Sequence, residues 1–306
     1  MAERLYFSLS IDCEATQPAI ADAALGERAS RGFAEVLEGR GLRGTFHVLP
    51  GDIEAHGDLY RELHARGHEL GLHVHPAADG HQEFLGVYGP DDQARILRQA
   101  ADRFSQVVGF PPDNICVGYL STNDFTYGVL HNLGFRHGTT SLPTRVLPEC
   151  ASVHAGAPLD VHYAHRFNRV LVGDLDYVEI PPTIDPDSRM WGGRHPLDLR
   201  IELVDAKNHW YTIDKAVRRQ VQQAVPVKVI RAATHNTFEY ADPRDFRRQT
   251  LGAVIEHAFR IAETHGLECV AATGAEIARA YRAAVPREST AASLSLDRRG
   301  YGPQQK

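Results

Sequence analysis

Short apolar runs alternate along this chain with longer stretches whose apolar residues recur at helical spacing. Residues 5–11 (LYFSLSI) read as a buried strand, and residues 27–40 follow as a helix with Phe33, Val36 and Leu37 on one face before Gly41 ends it. Residues 44–49 (GTFHVL) form the next predicted strand, 53–66 a helix, and 69–72 (ELGL) another buried strand. A helix from Pro90-Asp91-Asp92 to Gly109, a strand over 114–117, a helix over 124–133 and a strand over 135–139 continue the order. Strand and helix in such repetition imply right-handed crossovers and a parallel sheet, closed as a barrel or left open.

Between Pro143 and Tyr211 the pattern loosens, with prolines, glycines and aromatics around one clear predicted strand, 170–180 (VLVGDLDYVEI). A long irregular stretch inside a compact domain is more often a functional covering than filler, so much of it is read as substrate-binding loops. Alternation then resumes with a helix over 213–224, a strand over 227–234, a helix over 245–265, a strand over 267–272 and a helix to about 283. The expected domain is residues 1–285. Residues 286–306 lack periodic apolar positions and are read as a flexible tail.

Composition narrows the function. With 306 residues, 43% apolar, the chain can bury a full core. A net charge of -6 with scattered basic residues gives no stripe for a phosphate backbone, so nucleic acid is not expected as a partner. No run is long enough to span a bilayer and no export signal is visible at the amino terminus, so membrane partners are not expected and the expected compartment is the cytoplasm. Cys13, Cys116, Cys150 and Cys269 are far apart, which suits reduced thiols. A small-molecule substrate is the expected partner, and a homo-oligomer is compatible with the composition.

Candidate chemistry gathers at two strand ends. Asp12-Cys13-Glu14 closes the first strand and His73-Val74-His75 the third. Residues two apart in a strand share a face, so Asp12 would project with Glu14, and His73 with His75. Two carboxylates and two imidazoles at one end of a sheet suggest a metal site, where parallel α/β folds place their active sites. With 17 histidines a His-x-His pair arises by chance about once, so its position carries the argument. Cys13 is read as a buried small hydrophobe, and His47 and His68 as supports for site or fold.

The order of these motifs resembles the polysaccharide deacetylase family with the NodB homology domain. Ser10-Ile11-Asp12-Cys13-Glu14 is similar to its Thr-Phe-Asp-Asp motif. Gly67-His68-Glu69, leading to His73-Val74-His75-Pro76, resembles its Gly-His-Glu segment and His-x-x-x-His motif, with the histidines closer together. Residues 116–124 resemble its Arg-x-x-x-Gly region without the arginine, and 229–236 its strand ending in the catalytic histidine. The resemblance implies a distorted (β/α) barrel and a metal-dependent hydrolase of C–N bonds. It would remove an acyl group, most simply acetyl, from an amino sugar or related small metabolite, or open a cyclic amide or ureide as an allantoinase does. A catalytically silent binding protein of the same fold is the reading from another class.

The resemblance also assigns roles. Asp12 is the expected general base and Glu14 the carboxylate ligand beside His73 and His75, with the reverse assignment of Asp12 and Glu14 open. The expected cofactor is a divalent metal, zinc first, with nickel, cobalt or manganese compatible. His235 is the expected general acid, oriented by Asp174, Asp176 or Glu179 on the predicted 170–180 strand. Tyr119, Asp124 and Trp191 are the substrate-binding candidates; Trp210 and Tyr177 offer further aromatic faces, and His81 is a candidate substrate contact or third nitrogen ligand.

Overall fold

The first apolar run forms β1 (Arg4–Cys13), buried from Phe7 onward, and a computed structural model describes the chain over residues 3–203 and 205–287. After it come α1 (Ala23–Glu38), β2 (Thr45–Val48), α2 (Pro50–Ala55), α3 (Gly57–Ala65), β3 (Glu69–Val74), α4 (Pro90–Val108), β4 (Asn114–Val117), α5 (Thr126–Asn132) and β5 (His137–Thr139). The irregular middle holds β6 (Val146–Leu147), β7 (Ser152–Val153), β8 (His162–Tyr163), β9 (Val178–Glu179), β10 (Ile184–Met190) and β11 (His195–Asp198). The chain then forms α6 (Ala206–Gln222), β12 (Lys228–His235), α7 (Phe246–Thr264), β13 (Glu268–Ala271) and α8 (Gly274–Ala284). The expected tail lies almost wholly outside the described residues.

These strands make one curled sheet in the order β12-β1-β2-β3-β4-β5-β9-β8. β1 pairs in parallel with β12 along one edge, and along the other with β13 at its start and β2 at its end. Beyond β9 the curl is closed irregularly. Thr183 bonds to the Arg231 carbonyl (3.1 Å), and Ile201 and Leu199 exchange bonds with Ala233 (3.0 and 3.2 Å), so segments 183 and 199–201 bridge toward β12. The fold is a distorted (β/α) barrel, as the resemblance implies.

Period-two alternation decides what each face carries. Phe7, Leu9, Ile11 and Cys13 of β1 join Phe46, Val48, Leu70, Leu72, Ile115, Ile230 and Ala232 in the apolar core beneath the helices. The alternate residues, Ser8, Ser10, Asp12, Thr45, His47, His73, Asn114, Cys116, Thr139 and Arg231, are equally buried but polar or small. They face the hollow of the curl, where all but Ser10 line its cavities.

Two sequence expectations change. The helix over 53–66 is two helices broken at His56 (φ -132, ψ 37), whose Nε2 lies 2.9 Å from the Ala23 carbonyl. The strand over 170–180 shrinks to Val178–Glu179 because residues 173–175 fold back over 163–164, with Gly173 bonding to Tyr163 (2.8 Å) and Leu175 to Ala164 (3.1 Å). The crossing is tight: a Cβ on Gly173 would sit 2.3 Å from His165 Cα. No helix among the described residues is long and apolar enough to cross a membrane, and all four cysteines are unpaired.

At the amino-terminal end of the strands, buried Glu69 joins four elements. Its carboxylate accepts from Thr45 Oγ1 (2.8 Å), Asn114 Nδ2 (2.8 Å) and the Ala275 amide opening α8 (3.1 Å), and lies 2.6 Å from His137 Nε2. Burial alone would raise its pKa; His137 and these donors outweigh that and bring it down to about 2. A carboxyl depressed on folding gives stability that is present above its unfolded pKa and lost as pH falls through the folded value. Glu69 is therefore expected to give roughly 3 kcal/mol that fades between about pH 5 and pH 2. Urea unfolding over that range checks it: the slope of stability against pH should flatten in Glu69→Gln.

Candidate active site

Glu14 stands one residue beyond β1, on a loop held by side chains from two other elements. Asn236, fully buried directly after β12, accepts through Oδ1 from the amides of Glu14 (2.8 Å) and Ala15 (3.1 Å) and donates through Nδ2 to Asp52 Oδ1 (3.1 Å). Asp52 Oδ2 accepts from the amide of Thr16 (3.0 Å) and from its hydroxyl (2.5 Å). Glu14 is thus presented from a fixed backbone.

His73 and His75 bring Nε2 to the same Glu14 oxygen, at 3.1 and 2.9 Å. The other ring nitrogen is engaged in both. His73 Nδ1 donates to the Cys116 carbonyl (3.0 Å), and His75 Nδ1 lies 2.5 Å from Glu83 Oε1. A carbonyl can only accept, so His73 Nδ1 carries a proton, and Nε2 is the nitrogen left to face an ion. A Cβ on Gly118 would lie 2.5 Å from His75 Cε1 and Nε2, so the His75 ring needs glycine there. Burial disfavours a charged His75, but Glu14 and Glu83 outweigh it and raise its pKa to about 9. Burial likewise pushes Glu14 up, and the two histidines hold it below the usual carboxylate range.

One carboxylate oxygen and two imidazole nitrogens converging in this way fit a divalent transition metal. Ligand atoms sharing a tetrahedral ion at about 2.0–2.1 Å stand about 3.3 Å apart, near the spacings here.

Asp12 lies beside this set, across the β1–β12 register from His235. Its Oδ1 is 3.0 Å from His47 Nδ1, and its Oδ2 accepts from Cys116 Sγ (3.6 Å). Burial favours the neutral acid, but His73, His47 and His235 hold Asp12 well below the usual range. Burial and the Asp12 charge push the Cys116 thiol far up, which makes it a donor to Asp12 and a poor thiolate ligand.

His235 Nδ1 lies 2.7 Å from Glu202 Oε1, and Glu202 Oε2 accepts from Thr234 Oγ1 (2.8 Å). Burial works against a charged His235; Glu202, then Glu14 and Asp12, overcome it and raise its pKa to about 9. Asp12, Glu14, His73, His75 and His235 line a cavity of about 280 Å³ with Tyr119, Leu142, Arg145 and Arg200 among its walls.

Residues 22–138 match the family model described as polysaccharide deacetylase. Over those residues the chain is similar to the polysaccharide deacetylase family. Solved structures repeat its fold: a Mycobacterium smegmatis protein assigned as a polysaccharide deacetylase (17% identity, 96% of each chain, TM-score 0.63) and Puue allantoinase (14%, 93% of this chain and 92% of that one, 0.62). A Pseudomonas aeruginosa protein assigned as a polysaccharide deacetylase aligns at 12% identity over 94% of this chain and 93% of its own, with a TM-score of 0.61. No match is found among curated proteins.

Against the family pattern, several expected site residues fall elsewhere. The carboxylate behind His235 is Glu202, not one from the predicted 170–180 strand: Asp176 pairs with Arg282 (3.0 Å), Glu179 is buried under Thr140 and Ser141, and Asp174 lies on the segment that folds back. Glu202 escaped notice inside an irregular stretch, although Leu199 and Ile201, both buried, alternate with Arg200 and Glu202 as a strand-like segment would. Of the substrate-binding candidates, Tyr119 borders the cavity. Asp124 is instead tied to Arg169 (3.0 Å) at the surface, and half-exposed Trp191 stacks on His195 at 4.3 Å between ring centres, outside the cavity wall. Trp210 rests against His257, Tyr177 is wholly buried in the core, and His81 does not reach the cavity; Glu83 is the residue of that loop that touches the site. Asn236 and Asp52 carry no chemical motif, so sequence reading had no reason to choose them.

Replacing Glu202 by glutamine removes the negative charge that faces His235. The His235 pKa, followed by NMR titration of the imidazole, is expected to fall by more than about one unit.

Proposed function

We propose that this chain is a metal-dependent hydrolase of an amide C–N bond in a small substrate, with removal of an acyl group as the first reading. One observation carries it: the convergence of Glu14, His73 and His75 on a common point, beside a buried carboxylate and a carboxylate-backed histidine. A silent scaffold would have no use for that arrangement. Glu14, His73 and His75 would hold the ion, whose binding would displace the proton of His75. When bound, such an ion supplies Lewis acidity to activate water and polarise a carbonyl.

The chain's own groups divide the proton work. Asp12, ionised and steered by His47 and Cys116, is placed to take a proton from the attacking water. His235, charged at neutral pH and backed by Glu202, is placed to give one to the departing nitrogen, which must leave as an amine. The elevated pKa of His235 suits a donor; the depressed one of Asp12 suits a group that enters the reaction ionised. The cavity has room for a metabolite-sized group. It also supports a second reading, opening of a compact cyclic amide, the chemistry named for the allantoinase that shares the fold.

Metal content by plasma mass spectrometry, read beside amide hydrolysis, tests the assignment. The His73→Ala/His75→Ala variant is expected to lose both metal and activity. Asp12→Asn is expected to keep about one equivalent of metal and lose at least about a thousandfold in kcat. Should Asp12→Asn empty the site while Glu14→Gln leaves it full, the two carboxylates exchange roles. Wild-type protein that takes up no metal on reconstitution would remove the mechanism.

A further inference from the structure

The cavity holds a cation that the hydrolase reading leaves without work. Arg145, just before β6, lines it and is only 5% exposed. One terminal nitrogen donates to the Tyr119 carbonyl (2.8 Å); Nε is buried with no partner, and no carboxylate pairs with the guanidinium among the described residues. Arginine stays charged in proteins, and burying that charge without a counter-ion is costly. Arg200, on the same wall, is already paired with Asp198 (3.0 Å), and Arg231, deeper in the curl, donates to Ser10 Oγ (2.8 Å). The lining guanidiniums, Arg145, Arg200 and Arg231, equal in number the lining carboxylates, Asp12, Glu14 and Asp198. A divalent ion on Glu14, His73 and His75 would therefore leave the cavity positive, with Arg145 and Arg231 lacking carboxylate partners among the described residues and Arg145 the one whose Nε has no partner at all.

Arg145 is also tied to the metal-ligand cluster through one residue. Tyr119 sets its ring edge-on to His75 (5.4 Å between centres) while its carbonyl holds Arg145. That residue is itself constrained: Tyr119 and Leu120 both have positive φ (55° and 50°), and Ser152 Oγ and His154 Nε2 lie 3.1 and 2.9 Å from the Leu120 carbonyl.

Building on the hydrolase reading, we propose that the substrate carries a carboxylate, bound in the cavity by Arg145 with Arg200 flanking it. A carboxylate offers two acceptor oxygens to the planar guanidinium fork and supplies the charge that the wall lacks. A neutral N-acyl sugar or ureide would leave Arg145 buried and uncompensated.

Matched probes test this with metal-reconstituted full-length protein: N-acetylglucosaminuronate against N-acetylglucosamine, and hydantoin-5-acetate against hydantoin-5-acetamide. The acid is expected to exceed its neutral partner in kcat/KM by at least about tenfold, mainly through KM, and Arg145→Gln to collapse that ratio to below about threefold. A wild-type ratio near one overturns the proposal. So does a variant in which acid and neutral probe decline together, which marks Arg145 as a structural brace of the Tyr119 turn. Where Arg145→Gln does not fold, Arg200→Gln is read for the same ratio. If no probe is hydrolysed, the hydrolase reading fails separately, and calorimetric binding of the same pairs decides: selective binding of the acids, lost in Arg145→Gln, keeps the carboxylate site, and its absence ends it.

Discussion

Every central strand of the curled sheet turns an apolar face to the helices and a polar face to the hollow, and the structure depends on satisfying that buried polar face. Polar groups in a low-dielectric interior are tolerable when each finds a partner, and costly when one does not. Much of the hollow meets this condition, in tiers. Glu69 binds Thr45, Asn114, His137 and the start of α8 at one end. Arg231 bridges to Ser10 in the middle, and Asp12 meets His47 and Cys116 at the other end. The candidate active site is the top tier of this column, so its side chains inherit the rigidity of the sheet.

Strand alternation also accounts for the way this chain departs from an adjacent pair of acids. Asp12 faces the hollow, so residue 13 must face the helix layer, where Cys13 is fully buried in the apolar core. A carboxylate there would be desolvated and could not reach His73. The next inward position is 14, already past the end of β1, where the strand no longer fixes the backbone. Asn236 and Asp52 take over that task by bonding the amides of residues 14–16, which is why a glutamate on a loop can meet two histidines from a different strand. The closer histidine spacing follows similar logic. His73 ends the inward row of β3 and His75 follows directly beyond it, so a two-residue step suffices for both Nε2 atoms to reach one Glu14 oxygen.

Those features visible in short-range pattern were legible in the sequence. The strand at 5–11, the Asn114–Val117 strand and the helix from Pro90 to Gly109 carry strong local signals, and Asp12, Glu14, His73, His75 and His235 sit at strand ends where chemistry is expected. What escaped notice is long-range. Glu202 reaches His235 because residues 199–201 run beside β12, a pairing of about thirty residues' separation with no motif to announce it. Residues 170–175 have the composition of a strand, yet Gly173 lets the backbone cross residues 163–165 at a distance no side chain permits. Local propensity gave way there to a tertiary crossing.

The turn after β4 shows how stability and specificity compete at one place. Two consecutive non-glycine residues in the left-handed region cost of the order of 1–3 kcal/mol each and persist only where their surroundings over-determine them. Here Arg145 binds the carbonyl of one, while Ser152 and His154 lie within bonding distance of the carbonyl of the other. Gly118, just before the turn, is kept side-chain-free by the His75 ring. The backbone is therefore wedged between the Glu14, His73 and His75 cluster and the irregular middle of the chain. Because the middle supplies the donors that hold this turn, changes in its loops would reshape the cavity wall without reaching Asp12, Glu14 or His73, which are held by the sheet and by Asn236. The cavity wall and the proposed catalytic groups thus rest on largely separate structural supports.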